Sequence, residues 1–172
     1  MFIYHATDAT ITKFNLDYLF YGEHNFGPGI YFSLKDDNID FYLNENPNGK
    51  IYKTAISAQN MVLWHNIHDL TNNKISSFIT AYFSSIPLLE NHINEIIEKY
   101  TGKNYLYVMT NLPYEIHNYN KEAKIDISQD HLKQFLINFV KYTGITSMFV
   151  ENGTFREEVV VFDAESLDII SS

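Results

Sequence analysis

Nine residues constrain this chain more than any others: Asn25-Phe26-Gly27-Pro28-Gly29-Ile30-Tyr31-Phe32-Ser33. Two glycines around a proline set a tight loop, and the apolar, aromatic run behind them reads as a short buried strand. Glycine at such a junction allows close backbone approach, either to a ligand or to a neighbouring strand. The segment starts like a dinucleotide-binding glycine motif, but Phe32 stands where the third glycine belongs and the preceding strand is missing. No phosphate-cradling loop ending in Gly-Lys-Ser/Thr occurs elsewhere.

Other elements follow from periodicity and punctuation. Phe2 to Tyr4 reads as a strand ending at His5, followed by a polar turn over Ala6 to Thr12. Leu34 to Leu43 carries Ile39, Tyr42 and Leu43 at helical spacing, with Asp36 and Asp37 near its start. Asn46-Pro47-Asn48-Gly49 is a turn, and Lys50 to Ser57 alternates with period two, as a half-buried strand does. Asp69 to Phe83 and Leu88 to Tyr100 have apolar residues at i, i+3 and i+4, with a stop at Thr101-Gly102. Tyr105 to Met109 fits either a strand or the start of a helix. Ser128 to Tyr142 is the clearest amphipathic helix, with Ser128 as candidate N-cap and Leu132, Phe135, Leu136, Phe139 and Val140 inward. Strands over Ser147–Val150 and Glu158–Phe162 flank the Asn152-Gly153 turn. Strands at both ends with helices between them indicate an α+β chain.

Composition excludes several functions. At 172 residues the chain suits one domain, residues 1–172, with a helical insertion at about 66–142. Twelve basic and 21 acidic side chains leave a net charge of −9. That argues against an extended nucleic-acid partner, because each phosphate contact needs a cation. Without cysteine there is no disulfide framework, thiol nucleophile or thiolate metal site. His65 and His68, three apart, are the one pair with zinc-like spacing, but no carboxylate or third His supports them; no metal is expected. The start lacks a cationic, apolar signal segment, and no apolar run approaches the ~20 residues needed to span a bilayer. A cytoplasmic protein without membrane partners is the expectation.

One ordered set of residues carries chemistry. His5-Ala6-Thr7 follows the first strand, Tyr31 follows the glycine loop, Tyr42 lies 11 positions later, and Glu158 opens Glu158-Val159-Val160-Val161-Phe162-Asp163. This set resembles the His-Tyr-Glu ADP-ribosyltransferases, which include the poly(ADP-ribose) polymerases, diphtheria-type toxins and small phage and bacterial relatives. The resemblance covers roughly residues 2–57 and 145–170. It implies two packed antiparallel sheets with inserted helices, and NAD+ as co-substrate.

By that resemblance Tyr31 and Tyr42 sandwich the cationic nicotinamide, backbone groups of Ala6 hold its amide, and His5, helped by Thr7, orients a ribose hydroxyl. Glu158 stabilises the oxocarbenium-like sugar as the glycosidic bond breaks. His5, Tyr31 and Glu158 are the candidate catalytic residues. Three departures stand out. Ala6 replaces the family's glycine, and Ile39 stands where its polymerases carry serine. Arg156 occupies the position at which arginine-modifying relatives carry Glu or Gln. The implied activity is mono-ADP-ribosyl transfer to a protein acceptor docked near residues 151–157, where Phe155 and Arg156 are potential anchors. NAD+ glycohydrolysis and a non-catalytic binding module are the alternatives.

Overall fold

Six strands and four helices account for the described residues of the computed structural model, which are 1–17, 28–34, 39, 43–44, 46–63, 72–83, 92–122, 129–152, 156–164 and 167–171. The strands are β1 (Phe2–Thr7), β2 (Ile30–Ser33), β3 (Lys50–Ala55), β4 (Met61–Leu63), β5 (Ser147–Asn152) and β6 (Arg156–Val161). The helices are α1 (Asn72–Phe83), α2 (Ile93–Tyr100), α3 (Tyr105–Glu122) and α4 (Gln129–Thr143). Two compact units divide them: Met1–Leu16 with Gly29–Asn66 and Ile145–Ser172, and Asp17–Pro28 with Ile67–Gly144.

The first unit holds a single mixed sheet in the order β3-β1-β2-β6-β5-β4. All neighbours are antiparallel except β4 and β5. The expected pair of packed sheets is therefore corrected. The physical reason is β2, which pairs with β1 along one edge and with β6 along the other, joining two halves into one ladder. Chain length shows that this single sheet is not flat. In a flat sheet β3 and β4 would lie five strand spacings apart, about 24 Å. Only Ile56 to Asn60 connects them, a reach of about 20 Å when fully extended, and a turn from the Ala58 carbonyl to the Met61 N–H shortens it further. The sheet must therefore coil until its edges approach each other.

Pleat alternation assigns the two faces. Ile3, Phe32, Tyr52, Thr54, Ser147, Val159 and Val161 share one face, and each is at most 2% exposed. That face is the core of the unit. Phe2, Tyr4, Ala6, Tyr31, Ser33 and Glu158 share the other with Met148, Val150 and Val160. There Phe2 is exposed, Tyr4, Ala6, Tyr31, Ser33 and Glu158 are half-buried, and Met148, Val150 and Val160 are fully buried. Gly29 brings β2 tightly onto β6: its φ is +157°, and a Cβ there would stand 2.6 Å from a Val160 methyl and 3.1 Å from the Val161 carbonyl. The close approach that glycine permits is thus to a strand. Outside β3, the segment Leu167–Ser171 covers the edge through Lys53 N–H to Ser171 (2.9 Å), Ile170 N–H to Lys53 (2.8 Å) and Thr54 hydroxyl to Asp168 (2.7 Å).

In the second unit, α4 buries Leu132, Phe135, Leu136 and Phe139 along one stripe, while Val140 is half-buried. Phe135 meets the rings of Phe78 and Tyr82 edge-on at 5.1 and 5.3 Å, the favoured aromatic geometry. Gly144, at φ +75°, stops the helix as its N–H donates to Val140. Tyr105 to Met109, which fitted strand or helix, opens α3. The Asn104 side chain accepts the Tyr107 N–H at 2.8 Å, and Tyr105, Val108, Met109, Leu112 and Ile116 form its buried stripe. Glu115 ties α3 to α2, accepting from Lys99 and Tyr100 at 2.7 Å each. Among the described residues no helix is long and apolar enough to cross a membrane.

Candidate functional site

His5 lies inside β1, which continues to Thr7, and not at the strand's end. Its ring packs among Phe14 (5.9 Å, edge-on) and Phe32 (5.5 Å), and its ladder partner is Tyr52. Tyr52 in turn pins the following turn, its hydroxyl accepting from Ile11 N–H and donating to the Ala9 carbonyl at 3.1 Å each. Nδ1 of His5 donates to the Tyr31 carbonyl at 2.9 Å. A carbonyl only accepts, so the proton is on Nδ1 and Nε2 keeps its lone pair in the neutral ring. Burial holds the imidazole below its usual 6.5, and the bond to Tyr31 offsets part of that.

That bond marks a break in the sheet. The N–H and C=O of Met1 both bond to Ile56, so odd-numbered residues of β1 turn their backbone groups to β3 and even-numbered ones turn theirs to β2. Tyr4 finds Ser33 there. The next ladder position would pair Ala6 with Tyr31, but the register stops at Tyr4–Ser33 and the His5 side chain takes the Tyr31 carbonyl instead. The N–H and C=O of Ala6 are consequently turned to the β2 side, where they have no ladder partner among the described residues. Thr7, at the end of the strand, accepts the Ala9 N–H at 3.2 Å.

Glu158 is the third residue of β6, since the strand starts at Arg156, two residues earlier than expected. It pairs with Ser33 of β2 and with Val150 of β5. Tyr31 pairs with Val160, which puts Tyr31 and Glu158 on the same face as diagonal neighbours. His5, Tyr31 and Glu158 thus occupy three consecutive strands, with His5 on the core face and the other two opposite. Tyr42 lies outside the described residues, as do Phe155, His65 and His68.

Within the stretch 151–157, Glu151 pairs with Glu157 and Asn152 with Arg156, while 153–155 lie outside the described residues. Two cavities formed by described residues lie elsewhere. One, of about 250 Å³, is lined by Phe83, His92, Glu95, Lys99 and Glu115; another, of about 260 Å³, by Ala55, Asn60, Thr146 and Asp163. No group of three His, Asp or Glu side chains suited to a metal occurs among the described residues. Periodicity alone missed two neighbours of the site. Phe14 and Tyr52 read as ordinary apolar positions, because only the fold brings them to His5. Compared with known proteins, the chain matches no family model, no curated protein and no solved structure.

A neutral, buried His5 predicts a pH dependence. Its folded value lies below the unfolded one, so the unfolded chain binds more protons and stability falls as pH drops below about 6.5. Urea denaturation between about pH 5 and 7 should show His5→Gln losing less stability over that range than the wild type does. Parallel curves for the two proteins would refute the assignment.

Proposed function

We propose that this chain is a mono-ADP-ribosyltransferase of the His-Tyr-Glu type, cleaving NAD+ and passing ADP-ribose to a protein. One observation carries the reading: the His5 imidazole takes the Tyr31 carbonyl at the ladder break, which leaves the Ala6 N–H and C=O on that side with no ladder partner among the described residues. A donor and an acceptor at that spacing suit a primary carboxamide such as that of nicotinamide. The neutral His5 ring retains an acceptor nitrogen, which suits a ribose hydroxyl. Tyr31 supplies an aromatic face for a cationic ring, with Tyr42 its proposed partner. As the carbon–nitrogen glycosidic bond breaks, nicotinamide leaves with the electron pair and positive charge builds on the ribose. Glu158 stabilises that charge, and the acceptor nucleophile then closes on the sugar and loses its proton. The acceptor approaches at the β5–β6 hairpin.

The deciding experiment incubates the purified protein with NAD+ labelled in its adenylate half and a cell lysate, then separates protein, nucleic acid and small molecules. Label on protein is expected. Free ADP-ribose alone would make the enzyme a glycohydrolase, label on nucleic acid would correct the acceptor class, and intact NAD+ would overturn the reading.

A further inference from the structure

We propose that Ser33 is a positioning residue for Glu158, its hydroxyl donating to the carboxylate from directly across the β2–β6 ladder. The inference rests on the role given to Glu158 above, and its geometry comes from the register. Ser33 and Glu158 are paired residues on adjacent antiparallel strands. The neighbouring Leu34 N–H bonds to the Glu157 carbonyl at 3.3 Å, which makes Leu34–Glu157 the hydrogen-bonded type of pair. Ser33–Glu158 is therefore the close type, with Cα atoms about 4.5 Å apart and side chains side by side. Backbone groups of Ser33 turn the other way, to Tyr4.

Both residues are half-buried, so a bond between them is partly shielded from water. Across the other edge of β6 the partner of Glu158 is Val150, fully buried and with no donor in its side chain. Other polar or charged residues of that face among the described ones are placed by the same registers, Asn152 on β5 lying opposite Arg156 and diagonal to Glu158. Tyr31 is diagonal to Glu158 on β2, Tyr4 and Lys53 continue the row beyond Ser33, and Arg156 stands two positions back on β6. The Lys53 ammonium lies 4.1 Å from the Phe2 ring centre, at the far end of the row. Glu151 and Glu157 form the neighbouring pair on the opposite face. Serine is the donor immediately opposite the carboxylate. A charge-assisted bond from it favours the ionised form and restricts its rotamers.

The test follows carboxyl carbons of labelled glutamate by NMR across a pH titration, with the Glu158 signal identified by its loss in Glu158→Gln. In Ser33→Ala that signal should titrate about one pH unit higher than in the wild type, and Ser33→Thr should restore it. In parallel, Ser33→Ala should lower kcat for NAD+ cleavage about tenfold with KM unchanged, and move the acidic limb of the pH–rate profile upward. An unchanged Glu158 titration in Ser33→Ala overturns the proposal, with or without turnover. A shifted titration with unchanged kcat overturns the positioning role. Failure of the transferase reading shows separately, as NAD+ left intact by the wild-type protein.

Discussion

Glu158→Gln should lower NAD+ cleavage by about 10²–10³-fold while leaving the melting temperature within a few degrees of the wild type. The two side chains have nearly the same volume, and Glu158 is itself only half-buried. Its strand is held from both sides, by β2 and by β5, independently of the carboxylate. Removing the charge should therefore act on the developing cation and not on the fold. Glutamine keeps an oxygen that accepts from Ser33 but carries no net charge. Substrate binding should fall much less than turnover, because the charge it stabilises exists only as the bond breaks. Single-turnover cleavage, with calorimetric binding of NAD+ and a melting curve, checks this. Near-normal cleavage by the variant would remove Glu158 from the mechanism.

The second large effect is expected at Gly29→Ala. A methyl there collides with the Val160 side chain at 2.6 Å and crowds the Val161 carbonyl, which belongs to a strand paired on both edges and cannot retreat. Val160 is itself fully buried, so it has little room to change rotamer. Overpacking of this kind costs about 1–3 kcal/mol, or a drop in melting temperature of roughly 3–10 °C in a chain of this size. Because the displaced contact lies beside the Ser33–Glu158 pair, cleavage should weaken as well, even well below the new melting point. A variant as stable as the wild type would show that β2 and β6 are not held this closely.

Local signals made much of the secondary structure legible. Lys50 to Ala55 forms the expected strand, although its buried positions are Tyr52 and Thr54 and not Ile51 and Ala55, and Leu132 to Phe139 recurs on the inward side of α4. What failed were features set by distant partners. β4 is three residues long and is defined by parallel pairing with β5, some 86 positions away, which no local pattern announces. α3 runs through Pro113, a residue that ordinarily breaks a helix, and its buried stripe continues to Ile116. The ends of β1 and β6 were drawn short because polar residues such as His5, Thr7 and Arg156 do not look like strand, although their ladders extend over them. The same limit applies to the site. His5, Tyr31 and Glu158 could be named from the order of their motifs, but the ladder break beside Ala6 exists only in the pairing of strands. Ser33 lay in full view inside the glycine-strand segment; its place opposite Glu158 depends on a register linking residues 125 positions apart.

The position of β6 has a consequence for how the molecule comes into being. The strand completed last during synthesis is an interior one, lying between β2 and β5. Until it emerges, the sheet exists as two fragments, β3-β1-β2 and β5-β4, each with an unpaired edge waiting for the same segment. Such pairings close long loops and form slowly, and open edges on an unfinished chain invite contact with other chains. The strand that joins the fragments also brings Glu158. On the proposed reading, the site is assembled only when this strand pairs with both fragments.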